Sequence, residues 1–302
     1  MTRLNSVGTS TLDIAYEEHG RATGSPIVLL HGFPYDVRCF DAVVPLLVEA
    51  GFRVLVPYLR GFGPTTFKDF AKSRSGEQAA LAQDLLDFAD ALHLRRPLLA
   101  GFDWGGRAAV AAAALWPERF GGLLSTGGYS IYDVRSAWEP SSAEKEWSLW
   151  YQYYFLTDRG RKGLARNRRA ICHLLWRLWS PNWKFDEVTF ERSAISFDNS
   201  AFVDVVIHSY RHRHGAAAGD PTYSLLESRL ADRPPVTIPV GMLGSGAGPF
   251  VPGAPAARDF SRLLWFETVA DGGHNLPQER PAEFARGIVR LGEAVGAPRV
   301  IA

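Results

Sequence analysis

The chain has 302 residues, of which 46% are hydrophobic and 22% are charged, and this balance predicts a large globular core rather than a fibrous or disordered protein. Its 33 lysines and arginines are balanced by 32 acidic residues, for a net charge of +1, which argues against nucleic acid as a partner. The sequence shows neither a signal-peptide pattern nor an apolar run long enough to cross a bilayer. We therefore expect a soluble, cytoplasmic protein without membrane contact.

Short apolar runs that end near glycine alternate with helical patterns in the first part of the chain. The predicted strands are Ile27–Leu30, Arg53–Pro57, Pro97–Ala100 and Gly122–Thr126. The predicted helices are Phe40–Ala50, Glu77–Leu92 and Arg107–Trp116. This alternation predicts an α/β fold with a mostly parallel sheet flanked by helices.

The alternation stops in residues 135–225, which are rich in tryptophan and arginine, show helical periodicity and lack a buried-strand pattern. Strand patterns resume at Pro239–Leu243 and Leu263–Val269, and an amphipathic helix is predicted over Pro281–Ala294. The sequence therefore predicts a main domain formed by residues 1–134 and 226–302, with a helical cap domain inserted at residues 135–225.

A carboxylate occupies the turn after the third predicted strand. The segment Gly101-Phe-Asp-Trp-Gly-Gly106 places Asp103 between that strand and a helix of small residues. Flanking glycines relieve crowding, and the helix N-terminus favours an anion, so Asp103 can stand exposed above the carboxyl edge of the sheet. The turn has the geometry of a nucleophile elbow, and it predicts Asp103 as the nucleophile.

Two further segments are predicted to reach the same edge of the sheet. His31-Gly-Phe-Pro34 follows the first of the predicted strands, and the Gly272-Gly-His-Asn275 loop follows the last one. The order of nucleophile and then histidine is that of hydrolases, which predicts His274 as the base. The backbone N–H groups of Phe33 and Trp104 are the predicted oxyanion hole.

These segments, together with the Arg60-Gly-Phe-Gly63 turn, resemble the α/β-hydrolase superfamily and, within it, the epoxide hydrolase branch with an aspartate nucleophile. The resemblance extends into the insertion, where Tyr151-Gln-Tyr-Tyr-Phe155 and Ser209-Tyr-Arg211 match the two cap-tyrosine segments of that family. It implies the α/β-hydrolase fold and an enzyme that needs no metal and no organic cofactor.

The resemblance also implies a mechanism in which Asp103 attacks an epoxide carbon and forms a covalent ester, which water activated by His274 then hydrolyses to a diol. Tyr151 and Tyr210 would hold the epoxide oxygen, because a neutral tyrosine can donate a proton as the ring opens.

The aromatic residues of the predicted cap favour an apolar or aromatic substrate. The predicted substrate-binding residues are His31, Pro34, Trp150, Tyr154 and Trp179. A small molecule and water are the expected partners, and the sequence leaves the oligomeric state and the natural substrate open.

The sequence departs from the family at the acid that orients the histidine. The two usual positions of this acid correspond to Ala247 and Gly127. The nearby carboxylates Asp133, Asp198 and Asp271 are each also explained as turn or helix-capping residues. A slow hydrolysis step is therefore expected, unless another group orients His274.

Two alternatives remain at this point. A haloalkane or haloacetate dehalogenase shares the aspartate nucleophile and would hold halide with Trp104, although the haloacetate version also needs arginines after the nucleophile, and only Arg107 is present. A catalytically impaired ligand-binding protein on the same fold is the other alternative, because fold does not determine function.

Overall fold

The computed structural model describes residues 4–253, 255–256 and 258–297. The strands are β1 Leu4–Gly8, β2 Leu12–His19, β3 Ser25–Leu30, β4 Phe52–Pro57, β5 Thr66–Phe67, β6 Leu98–Gly101, β7 Gly122–Thr126, β8 Val240–Ser245 and β9 Leu263–Val269. The α-helices are α1 Val43–Glu49, α2 Gln78–Ala91, α3 Asp103–Leu115, α4 Ala143–Ser148, α5 Trp150–Leu156, α6 Asp158–Trp179, α7 Glu187–Ala194, α8 Phe202–Arg213, α9 Ser224–Ala231, α10 Leu276–Glu279 and α11 Pro281–Ala294.

The strands form one sheet in the order β1-β2-β4-β3-β6-β7-β8-β9, with β5 paired to β2. Neighbouring strands from β4 to β9 in this order are parallel, whereas β1, β2 and β5 pair antiparallel at one end. The central strands β3 and β6 are buried almost throughout, as expected for parallel strands covered on both faces. The predicted fold class is confirmed.

Helix pairs complete the layers around the sheet. Helix α2 packs against α3, and α1 packs against α11. Small side chains allow α3 to approach the sheet closely, because residues 108–109 and 111–113 are all buried alanines. The carboxyl ends of the parallel strands are therefore held at one edge, where the following loops converge.

The predicted strands all occur, and β7, β9 and α11 have the predicted bounds. Two predicted helices begin elsewhere: a 3-10 turn over Val37–Phe40 precedes α1, and α3 already begins at Asp103. The antiparallel strands β1, β2 and β5 were not predicted. Strand β1 alternates exposed and half-buried residues, and β5 has two residues, so neither contains an apolar run.

Between β7 and β8, the described chain contains helices α4 to α9 and no strand. Helix α5 packs against α6 and α8, and α9 packs against α2 and α3. The division into a main domain and a cap domain at residues 134/135 and 225/226 stays a prediction. No helix in the described part of the chain combines the length and apolar character needed to cross a membrane.

Candidate active site

Asp103 lies at the sharp turn between β6 and α3, at the carboxyl edge of the sheet. Its φ angle is +51°, in the left-handed region that non-glycine residues rarely adopt. Two glycines permit this turn: a Cβ on Gly105 would lie 2.2 Å from the carbonyl oxygen of Leu30, and a Cβ on Gly32 would lie 2.4 Å from the Cβ of Asp103. The predicted elbow geometry is therefore present.

The Asp103 carboxylate is held from two sides. The backbone N–H of Phe33 donates to Oδ1 at 2.7 Å, and Nε2 of His274 lies 3.3 Å from Oδ2. Burial alone would raise the pKa of Asp103, but hydrogen bonds from His274 and the Trp104 N–H and the charge of Arg107 lower it below its ordinary value. Asp103 is therefore ionised at neutral pH.

Glu279 fixes the loop that positions His274. The Glu279 carboxylate accepts hydrogen bonds from the backbone N–H groups of Gly273 (2.8 Å) and Asn275 (3.0 Å) and from the Ser180 hydroxyl (2.6 Å). Both neighbours of the histidine are thereby tied to one carboxylate. Sequence reasoning missed Glu279, whose role in the loop depends on backbone N–H groups and on the distant Ser180.

No described carboxylate other than Asp103 lies within 4.0 Å of the ring nitrogens of His274. The three carboxylates considered from the sequence are paired elsewhere: Asp133 with Arg135, Asp198 with Arg169, and Asp271 with Arg280. The Ala247 N–H donates to the carbonyl of Gly272 at 3.0 Å, so the loop after β8 adjoins the histidine loop without supplying an acid.

The predicted tyrosines lie together near the nucleophile. The rings of Tyr151 and Tyr210 are 5.4 Å apart in an edge-to-face arrangement, and both side chains are buried. Burial, followed by the charge of Asp103, raises the pKa of Tyr151 to about 12. Burial and the charges of Tyr151 and Asp103 also raise the pKa of Tyr210. Both phenols are therefore neutral and able to donate at neutral pH.

The predicted oxyanion-hole residues flank the same pair of tyrosines. The Phe33 ring stacks on the Trp104 ring at 5.6 Å, and the Tyr210 ring lies 5.7 Å from Phe33 and 5.8 Å from Trp104. The buried indole N–H of Trp104 makes no hydrogen bond of normal geometry. The elbow, the loop after β3 and helices α5 and α8 are thus brought into contact.

His31 does not face a ligand, which corrects its predicted role as a substrate contact. The side chain is fully buried, its Nε2 accepts the Leu59 N–H at 3.1 Å, and Nδ1 lies 3.1 Å from the Gly32 carbonyl oxygen. Burial lowers the pKa of His31 to about 4, against smaller opposing effects of Gly32 and Asp103. A neutral His31 therefore ties the loop after β3 to the loop after β4.

The other predicted substrate contacts lie around the site rather than on its cavity wall. The Pro34 carbonyl accepts the indole N–H of Trp176 at 2.7 Å. The Tyr154 hydroxyl is directed at Gly163, where a Cβ would lie 1.8 Å away. The Trp179 ring packs against His274 at 4.9 Å and against Tyr151 at 5.1 Å. Trp150 and Trp179 also line a separate cavity of about 340 Å³.

A cavity of about 320 Å³ opens beside Asp103, His274 and Tyr151. A larger groove of about 540 Å³ is lined by residues of α1, β9 and α11 and contains none of these side chains. Among the described residues, no group of three His, Cys, Asp or Glu side chains is arranged to hold a metal ion. Of these three cavities, the one of about 320 Å³ contains the predicted nucleophile and histidine.

A model of the alpha/beta hydrolase fold family matches residues 25–276. The crystal structure of a "putative epoxide hydrolase" from Klebsiella pneumoniae has a TM-score of 0.94 and 37% sequence identity, covering 96% of this chain and 97% of that one.

Curated relatives match shorter segments. A haloalkane dehalogenase from Psychrobacter cryohalolentis is 30% identical over 145 residues, which is 45% of this chain and 46% of that protein. Bifunctional epoxide hydrolase 2 from Sus scrofa is 32% identical over 103 residues, 34% of this chain and 18% of that protein. The match thus spans less than half the length of each of these two relatives.

Proposed function

Because the chain belongs to the α/β-hydrolase family, and to its epoxide hydrolase-like branch, we propose that it opens an epoxide to a diol through an ester on Asp103. The observation that carries this proposal is the convergence of an ionised carboxylate, a histidine and two neutral phenols. Nε2 of His274 lies 3.3 Å from Oδ2 of Asp103, and both side chains line one cavity with Tyr151, whose ring lies 5.4 Å from that of Tyr210.

In the first step, Oδ2 of Asp103 attacks a ring carbon of the epoxide, and the bond from that carbon to the ring oxygen breaks. Tyr151 lines the cavity that contains Asp103, and Tyr210 packs against Tyr151, so one of their phenols would transfer its proton to the ring oxygen as charge develops there. Oδ1 stays held by the Phe33 N–H and becomes the carbonyl oxygen of the ester. This step needs no base, because Asp103 is already ionised.

In the second step, Nε2 of His274 takes a proton from water, and the resulting hydroxide attacks the ester carbonyl carbon. The Phe33 and Trp104 N–H groups would stabilise the oxyanion. The bond between the carbonyl carbon and the ester oxygen then breaks, and the departing alkoxide takes the proton of the newly formed carboxyl group. The diol thus leaves with an oxygen atom that came from Asp103, and the Asp103 carboxylate is restored. The proton on His274 returns through the site to the tyrosinate, which completes the cycle.

Helices α4 to α8 would serve as the cap in this mechanism. They supply Tyr151 and Tyr210, and they enclose the site through contacts such as the hydrogen bond from the Trp176 indole N–H on α6 to the Pro34 carbonyl at 2.7 Å. Enclosure removes water from around Asp103 and strengthens its attack.

A haloalkane or haloacetate dehalogenase is the second candidate. The buried indole N–H of Trp104 favours it, because this donor makes no hydrogen bond of normal geometry to a described residue and can hold a halide. Two neutral phenols at the nucleophile favour the epoxide instead, because a departing halide needs no proton.

A matched panel distinguishes these functions. Purified protein is incubated with epoxides and with haloalkanes and haloacetates of similar size, and diol and free halide are quantified, with Asp103→Ala as the control. Diol formation that is lost in Asp103→Ala supports the proposal. Halide release without diol assigns a dehalogenase, and ligand retention without either product assigns an impaired binding protein.

A further inference from the structure

The cavity that contains Asp103 and His274 has a positively charged wall. Its described lining includes three cationic side chains, Arg107, Lys145 and Arg213, whereas Asp103 is its one carboxylate. We infer that the substrate carries a carboxylate close to its electrophilic carbon, held by Arg107 and Arg213. This inference rests on the proposed function, and it replaces the apolar substrate expected from the sequence.

Arg107 is buried without a counter-ion. Its side chain belongs to a residue that is 8% exposed, its Nε has no hydrogen-bond partner, and no described carboxylate lies within 4.0 Å of its guanidinium. A buried guanidinium with an unsatisfied donor is costly unless an anion pairs with it. Glu227 does not serve this purpose, because it accepts its hydrogen bonds from the Ala79 N–H and the Gln78 side chain.

A second guanidinium lies against the same aromatic ring as the first. The Cζ atoms of Arg107 and Arg213 each lie 5.3 Å from the centroid of the Tyr132 ring. Burial, followed by the charge of Arg107, lowers the pKa of Arg213, and no described carboxylate lies within 4.0 Å of it. Two like charges, neither with a described carboxylate within 4.0 Å, form a receptor for a planar anion, which guanidinium groups bind through paired hydrogen bonds.

One further donor on the same wall has no hydrogen-bond partner among the described residues. The hydroxyl of Ser130, which lines the cavity, is buried without a hydrogen bond. Lys145 at the rim has its pKa lowered by burial and then by the charge of Arg213. A bound carboxylate would satisfy the Ser130 hydroxyl and relieve the repulsion among the cations.

The distance along α3 limits the length of the substrate. Arg107 follows Asp103 by four residues on the same helix, so the two groups lie on one face about 6 Å apart along the axis. A carboxylate at Arg107 therefore places the electrophilic carbon only a few bonds away. This spacing, in a cavity of about 320 Å³, fits 2,3-epoxy and 3,4-epoxy acids of short chain.

The turnover test uses matched acids and amides. The kcat/KM is measured for 2,3-epoxybutanoate and 3,4-epoxybutanoate and for the primary amide of each, with Arg107→Gln, Arg213→Gln and Arg213→Lys. Loss of a hydrogen-bonded ion pair predicts that the acid-over-amide preference falls roughly 10- to 100-fold in either glutamine variant, and less in Arg213→Lys. Arg166→Gln, which removes an exposed charge on α6, should keep the wild-type preference.

A binding test needs no epoxide chemistry. Isothermal titration calorimetry compares hexanoate with hexanamide on the same folded variants. Selective binding of hexanoate that depends on Arg107 and Arg213 supports the inference. If no epoxide is opened at the same time, only the proposed function fails. Turnover of amides as fast as acids, with no preference for hexanoate over hexanamide, overturns the inference and leaves the proposed function standing.

Discussion

The missing acid beside His274 leads to a kinetic prediction. In the resting site, Nε2 of His274 lies 3.3 Å from Oδ2 of the Asp103 carboxylate. Once Asp103 is converted to a neutral ester, no described carboxylate lies within 4.0 Å of the ring. The imidazolium formed in the second step is then surrounded by rings such as Trp179 (4.9 Å) and Phe250 (5.1 Å). Hydrolysis of the ester should therefore be slower than its formation.

Ala247→Asp tests this directly, because the Ala247 loop hydrogen-bonds to the histidine loop. A hydrogen bond to a charged group contributes about 1.5–3 kcal/mol, and about 1.4 kcal/mol corresponds to tenfold in rate. The substitution should speed ester hydrolysis by roughly 10- to 150-fold. Ala247→Asn should not, because asparagine has the shape of aspartate but lacks its charge.

Rapid-quench kinetics on an epoxide substrate give the readout. Wild-type protein should consume about one equivalent of epoxide per site in a burst and then turn over slowly. In Ala247→Asp the slow phase should accelerate more than the burst. The reasoning is refuted if the wild type shows no burst and Ala247→Asp changes nothing, while Asp133→Asn or another carboxylate substitution creates a burst.

Three further predictions concern the tyrosines, the elbow and the loop after β3. Tyr151→Phe should slow ester formation roughly 10- to 1,000-fold in stopped-flow measurements. Tyr153→Phe, at a half-exposed position, should not slow it. Equal rates of ester formation in Tyr151→Phe and the wild type would remove Tyr151 from the mechanism. In urea denaturation, Gly105→Ala should lower the free energy of unfolding by about 1–3 kcal/mol, because the new Cβ would meet backbone oxygens at 2.2 and 2.3 Å. Gly253→Ala, with open space around the Cβ, should leave it unchanged. Burial lowers the pKa of His31 from 6.5 to about 4. The free energy of unfolding should therefore fall by up to about 3 kcal/mol as the pH falls from about 6.5 to about 4, because the buried ring must take up a proton. An unchanged pH dependence in His31→Gln would contradict this.

The sequence predicted what depends on local spacing. The Asp103 turn could be identified because a strand, a glycine-framed carboxylate and a helix of small residues are consecutive in the chain. The loop of His274 was likewise located between the last strand and the last helices. Such signals involve backbone conformation, which a few neighbouring residues determine.

Contacts between distant segments could not be predicted in this way. Arg213 lies more than a hundred residues after Arg107, and only the packing of α8 over the elbow brings both to the Tyr132 ring. His31 was assigned to the substrate because its position adjoins the oxyanion loop, yet both ring nitrogens serve backbone groups. Glu279 was missed because its partners are backbone N–H groups, which carry no sequence signal.

The origin of the oxygen atoms tests the central claim most directly. Excess enzyme is mixed with an epoxide in water enriched in ¹⁸O, allowed one turnover, and both the diol and the peptide containing Asp103 are analysed by mass spectrometry. The ester mechanism predicts an unlabelled diol and one ¹⁸O atom incorporated at Asp103. A labelled diol with unlabelled Asp103 would mean that water attacks the epoxide directly, and the proposed nucleophile would be wrong.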